Sequence, residues 1–202
     1  MKNLLTFLLL PALFLASCDI IITEEGLERR LPPPLGIDAK AIIEIPAGTL
    51  DKFELNKKSN EIEHEHKDGA PRVVQYLAYP ANYGYIPNTL LAKEDGGDGD
   101  PLDVFVLGAA VEREATLNIK IIGALKLLDR GEQDDKLIAV TRETPFWEVN
   151  SMSQLNAEFP GVSSIMDTWL TNYKGRDKME SQGFIEREAA LQILELAKIP
   201  SE

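Results

Sequence analysis

The stretch Gly97-Asp98-Gly99-Asp100-Pro101-Leu102-Asp103-Val104 constrains this chain more than any other. Asp98, Asp100 and Asp103 fall within six residues, and the glycine and proline between them hold a tight, non-helical path. Carboxylates so crowded repel one another unless cations lie among them. Hard dications such as Mg2+ take oxygen ligands and keep several waters, so carboxylates on a bent loop suit a hydrolytic metal site. The plain alternative is a solvated acidic turn, because Gly/Asp clusters are ordinary turn chemistry.

Spacing removes two other carboxylate motifs. A calcium EF-hand loop begun at Asp98 needs glycine at its sixth position and glutamate at its twelfth, where this chain has Asp103 and Ala109. An aspartyl-phosphate phosphatase carries its paired aspartates directly after an apolar strand. Here Lys93-Glu94-Asp95-Gly96-Gly97, a loop, precedes them.

With 202 residues, 44% hydrophobic and 27% charged, the chain is long enough for one well-formed core. A formal charge of −12 argues against binding nucleic acid or an anionic membrane surface through a basic patch. An acidic protein that handles an anion needs metal ions between the two.

Residues 1–17 read as a targeting segment. Lys2 supplies a positive n-region, Leu4 to Leu15 an apolar h-region, and Leu15-Ala16-Ser17-Cys18 a small-residue cleavage site. The pattern resembles a bacterial lipoprotein signal, which implies cleavage before Cys18, lipidation of that cysteine and an extracytoplasmic location in the cell envelope. The h-region is short for a transmembrane span, which needs about 20 apolar residues. Cys18 is the only cysteine, so no intramolecular disulfide forms. Residues 18–37 follow as a tether that Pro32-Pro33-Pro34 stiffens, and 38–202 form one globular domain.

That domain opens with Ala41-Ile42-Ile43-Glu44-Ile45, a strand whose β-branched run is broken by an acid. A buried acid is costly unless paired or near a metal, so Glu44 is functional or at a strand edge. Lys52-Phe53-Glu54-Leu55 alternates, with Lys52 and Glu54 on one face. In Glu61-Ile62-Glu63-His64-Glu65-His66 the two histidines share a face, but no third metal ligand is evident and an exposed hairpin is the simpler reading. Arg72 precedes the aromatic run Tyr79-Pro80-Ala81-Asn82-Tyr83-Gly84-Tyr85-Ile86-Pro87. There Tyr85 and Ile86 are expected to pack, and Tyr79 and Tyr83 bring hydroxyls within reach of an acidic site.

Asp98-Gly99-Asp100-Pro101-Leu102-Asp103-Val104, preceded by Tyr79-Pro80 and Asn82-Tyr83-Gly84-Tyr85-Ile86-Pro87, resembles the family I soluble inorganic pyrophosphatases. The similarity runs from about Lys40 to Lys174. In the family, the segment after the strand Ile119 to Leu128 carries two more metal-binding aspartates and a phosphate-binding lysine. These match Asp129, Asp134 and Lys136, and strand alternation puts Asp134 on the side of Lys136, leaving Asp135 at the surface. Val162, Ile165, Met166, Trp169, Leu170 and Tyr173 lie at helical spacing after Pro160-Gly161, and Tyr173-Lys174 matches a pair that binds the leaving anion. A second amphipathic helix, roughly Glu186 to Ala197, turns Ala189, Ala190, Ile193, Leu194 and Ala197 inward.

The resemblance implies Mg2+-dependent hydrolysis of pyrophosphate by a metal-activated water, on a mainly β, α+β fold: a small distorted five-stranded OB-like barrel with two C-terminal helices outside. Many short strands followed by helices agree with it independently. By the resemblance Asp98, Asp103, Asp129, Asp134 and, through water, Glu44 hold metal, and Asp100 takes the proton from the attacking water. Lys52, Arg72, Lys136, Tyr173 and Lys174 hold the two phosphates, while Glu54 and Tyr83 orient the side chains that touch metal and substrate. Homo-oligomers, hexamers in bacterial relatives, are a further implication. The interval from Arg72 to Tyr79 is one residue shorter than the family pattern, and relatives are typically cytosolic. The competing class is a non-enzymatic envelope lipoprotein that binds divalent cations or a ligand through an OB-type barrel. Such a module needs the aspartates but not the facing lysines, arginine and tyrosines.

Overall fold

The structure, a computed structural model, describes residues 36–91 and 99–199. Asp98, Cys18, the signal segment 1–17 and the tether up to residue 35 lie outside the described residues. Eleven strands are described: β1 (Ala39–Ile45), β2 (Phe53–Asn56), β3 (Glu61–His64), β4 (His66–Lys67), β5 (Ala70–Pro71), β6 (Asn82–Tyr85), β7 (Asp103–Leu107), β8 (Thr116–Asp129), β9 (Glu132–Gln133), β10 (Lys136–Val140) and β11 (Met179–Glu186). Among the described residues three helices accompany them, α1 (Met152–Glu158), α2 (Val162–Asn172) and α3 (Arg187–Ala197).

The main sheet runs β1-β6-β7-β10-β8-β11, with β9 beside β8. Its long strand β8 turns the sheet back on itself. The first residues of β8 pair with β1, its middle with β10 and its end with β11, so β1, β6, β7, β10 and β8 make a ring of pairings. The expected five strands are those of the ring, and β9 and β11 extend it. β10 runs parallel to β7 and the other pairings are antiparallel.

The ring strands are buried on both sides, which explains their nearly continuous apolar sequences. On β7, Phe105 and Leu107 join one core cluster and Val104 and Val106 the other; on β10, Ile138 and Val140 oppose Leu137 and Ala139. Met152 and Leu155 of α1 and Met166, Trp169 and Leu170 of α2 cover the first face, whereas Ala190, Leu194 and Ala197 of α3 cover the second.

Three expectations need correction. α1 is an additional helix, capped by the Ser151 hydroxyl, which accepts from the Gln154 N–H at 3.0 Å. Its seven residues are too few for a clear 3.6-residue period to be read from sequence. A strand, β11, separates α2 from α3. Ile165, placed with the core stripe of α2, is 59% exposed, because the helix turns Met166 and Trp169 to the sheet instead.

Candidate active site

Four local features deliver the predicted residues to one end of the ring. The parallel pairing of β7 and β10 sets Leu137 beside Val104, so the residues one step earlier, Lys136 and Asp103, lie next to each other where both strands begin. Lys136 Nζ is hydrogen-bonded to Asp103 Oδ2 and to Asp134 Oδ1. On β1 the register against β6 slips between Ile43, opposite Gly84, and Ile45, opposite Tyr83, leaving Glu44 as the extra residue of a bulge. Bulges re-aim side chains, and this one answers how an acid sits inside a β-branched strand. Glu44 is buried, and its Oε1 accepts the Leu55 N–H at 2.7 Å. Arg130 and Gly131, both with positive φ, make the two-residue turn from β8 to β9 that places Asp129 at the rim. Tyr173 caps α2, its ring stacked on Trp169 at 4.4 Å, and Lys174 reaches Asp129 Oδ2 at 2.7 Å and Asp134 Oδ2 at 3.7 Å.

These side chains surround a cavity of about 320 Å³. Glu44, Lys52, Glu54, Arg72, Tyr83, Asp100, Asp103, Asp134, Lys136, Tyr173 and Lys174 all line it. Arg72 therefore belongs to the pocket despite its shortened interval to Tyr79. Asp129 is not among the lining residues but accepts from Lys174, which is, and Asp98 is outside the described residues.

Other residues enter that sequence reasoning left out or assigned elsewhere. Glu65 and Lys57 line the pocket, Glu65 paired to Arg72 and Lys57 to Asp100. Lys57 lies in the turn after β2 and Glu65 in the Glu/His stretch read as an exposed hairpin, so no local signal marks either, and tertiary contacts bring them to the pocket. Tyr85, expected to pack, lines the pocket, whereas Tyr79 packs 4.5 Å from Trp169 and is not among the lining residues. Asp135, expected at the surface, is buried: Lys126 Nζ, the Leu127 N–H and Gln133 Nε2 all donate to it. It faces away from the pocket, as alternation requires. His64 stacks on Phe53 at 4.4 Å with Nε2 3.0 Å from the Arg72 carbonyl oxygen, and His66 Nδ1 lies 2.8 Å from the His64 carbonyl oxygen, so packing and backbone contacts account for both rings.

The electrostatics are those of opposed charges in a confined space. Burial pushes the Glu44 carboxyl up to about 8, and the charge of Asp103 adds to the effect against the opposing Leu55 N–H and Lys52. Burial by itself lowers Lys136, but Asp103 and Asp134 outweigh it and hold the ammonium firmly charged. Burial, then Asp103 and Glu44, raise Tyr83 well above the ordinary phenol range, so it remains a neutral hydroxyl. Asp129 Oδ1 is buried and has no hydrogen-bond partner among the described residues.

A family model described as inorganic pyrophosphatase matches residues 41–198. The chain is similar to an inorganic pyrophosphatase of Halalkalibacterium halodurans, 40% identical over 118 residues, 57% of this chain and 66% of that protein. It thus spans about two thirds of the length of that curated relative. Among solved structures, the inorganic pyrophosphatase of Helicobacter pylori superposes with a TM-score of 0.67 at 28% identity, covering 81% of this chain and 95% of that one. A truncated vacuolar soluble pyrophosphatase of Trypanosoma cruzi in complex with PPi gives a TM-score of 0.76 over 84% of this chain and 71% of that one, and at 24% identity it supports the fold alone. The family match takes in β1 from its third residue, the other four ring strands and the three described helices, and on that extent the chain belongs to the inorganic pyrophosphatase family.

Proposed function

We propose that this protein hydrolyses inorganic pyrophosphate to two phosphates in the cavity between β7, β10 and the Lys174 end of α2, with Mg2+ as its cation. One observation carries the reading: six carboxylates and five cationic side chains line the same small pocket. Carboxylates alone suit a cation store and cations alone an anion trap. Both together suit a reaction in which metal and a highly charged anion meet.

The donor set fits a hard dication. It is all oxygen, and it includes a buried Asp129 oxygen without a partner among the described residues and a Glu44 carboxyl whose ionisation is suppressed by burial and by the neighbouring Asp103 charge, both of which a bound dication would offset. Asp98, Asp103, Asp129, Asp134 and, through water, Glu44 would hold the metal. In the structure Lys136 and Lys174 stand among these carboxylates, and no ready-made cage of three converges among the described residues. When bound, the cations acidify water and offset charge on the phosphoryl oxygens.

The chain's own residues do the rest. Lys52, Arg72, Lys136, Lys174 and the Tyr173 hydroxyl bind the two phosphates, and Glu54, 3.0 Å from Lys52 Nζ, orients that lysine. Asp100 accepts the proton of the attacking water. As the water oxygen bonds to one phosphorus, the bond from that phosphorus to the bridging oxygen breaks, and its electron pair leaves with the second phosphate. Tyr83, which keeps its hydroxyl proton, would donate it in a hydrogen bond to a group that holds metal or phosphate and so orient that group. Positioning and charge stabilisation suffice, without a covalent intermediate.

Location belongs to the same proposal. The order n-region, apolar run, small residues, Cys18 supports a lipid anchor outside the cytoplasm, and membership of the family makes a homo-oligomer the expected assembly. The test is phosphate release from pyrophosphate by the purified protein with Mg2+ and with a strong chelator. Release that requires the metal is expected. No release with Mg2+ overturns the reading, and release unaffected by chelation overturns its metal dependence.

A further inference from the structure

Lys52, Glu65 and Arg72 come from three separate extended segments and close a ring of backbone hydrogen bonds. The Lys52 N–H donates to the Arg72 carbonyl at 3.0 Å, the Arg72 N–H to the Glu65 carbonyl at 2.7 Å, and the Glu65 N–H to the Lys52 carbonyl at 2.9 Å. Each residue uses both its backbone groups inside the ring, so the three backbones cannot move independently. All three side chains line the pocket. Both Glu65 oxygens accept from Arg72 Nη1, at 2.8 and 2.6 Å, and one lies 3.9 Å from Lys52 Nζ.

We propose that Glu65 is a positioning residue for pyrophosphate: its carboxylate holds the Arg72 guanidinium, and through it the spacing of the Lys52–Arg72 pair, in the arrangement that receives one phosphate. Two cations side by side repel, and long side chains lose rotamer freedom when a ligand fixes them. A carboxylate seated between them relieves the repulsion and fixes them before the substrate arrives. Among the described residues Glu65 engages the guanidinium through Nη1, and the donors on Nη2 and Nε are those we assign to a planar, two-point contact with a phosphate. Glu54 cannot substitute, because it pairs with Lys52 and makes no described contact with Arg72. The ligand class that profits is a compact polyanion able to meet both cations at once.

The assignment presupposes pyrophosphate binding at this pocket, and the experiment separates the two. In the full protein, the 15N order parameter of the Arg72 side chain is measured for wild type and Glu65→Gln. It is expected to fall in the variant with an unchanged melting midpoint; an equally rigid Arg72 overturns the assignment whatever the enzyme does. In kinetics with Mg2+, Glu65→Gln is expected to raise KM for pyrophosphate about tenfold, the scale of immobilising one or two side chains, with kcat nearly unchanged. Glu65→Asp, which keeps the charge, should fall between. Calorimetric binding of imidodiphosphate should weaken in parallel. In an Arg72→Ala background the Glu65 substitution should add nothing. An equal penalty there, or tighter binding in Glu65→Gln, overturns the assignment. A wild-type protein that neither hydrolyses pyrophosphate nor binds imidodiphosphate overturns the functional reading instead, and the order parameter still decides what Glu65 does to Arg72.

Discussion

Asp134 and Asp135 adjoin in sequence and face opposite ways at the entry to β10: Lys136 is hydrogen-bonded to Asp134 in the pocket, and Lys126 to Asp135 outside it. Asp134→Asn is expected to raise sharply the Mg2+ concentration that activity requires, since it removes a direct ligand of the proposed site. Asp135→Asn should leave that requirement nearly unchanged. It should instead lower stability by about 1–3 kcal/mol, the scale of a charge-assisted hydrogen bond with buried partners. Metal titrations and denaturant melts of both variants give the ranking, and the reverse order would make Asp135 the ligand.

Asp100 lines the pocket and is paired with Lys57. Asp100→Asn keeps the shape and removes the proton acceptor. Turnover should drop roughly 10²- to 10⁴-fold, the usual contribution of a general base, with substrate binding retained. Near-normal kcat in the variant would assign the proton to another group.

Gly84 is fixed by the same bulge that aims Glu44. A Cβ there would overlap the carbonyl group of Ile42 on β1, which is backbone and cannot rotate aside. Gly84→Ala should destabilise the fold by at least about 1–3 kcal/mol and shift β1 away from β6. A denaturant melt coincident with wild type would show that β1 accommodates the methyl group.

The lipid anchor makes its own prediction. Cys18→Ser should release the protein from membranes, because each buried acyl CH₂ contributes about 0.8 kcal/mol. Retention of the variant with membranes after a high-salt wash would exclude lipid at Cys18 as the sole anchor.

Period-2 alternation is a local property, and what depended on it was legible in the chain. The side of Lys136 that Asp134 occupies, the pairing of Lys52 with Glu54 and the turning of Asp135 out of the pocket follow from which face of a strand a residue must take. The resemblance of the aspartate loop and its aromatic prelude led to the family. Register between strands distant in sequence is not written locally. The slip of one residue between β1 and β6 turns Glu44 into the site, the parallel seating of β10 on β7 puts Lys136 against Asp103, and the hydrogen-bond ring of three extended segments brings Glu65 to Arg72. Asp135 shows the boundary most plainly. Alternation in the chain determined which way it points, but whether that direction meets water or Lys126 depended on where β8 and β9 pack, which only the tertiary structure decides.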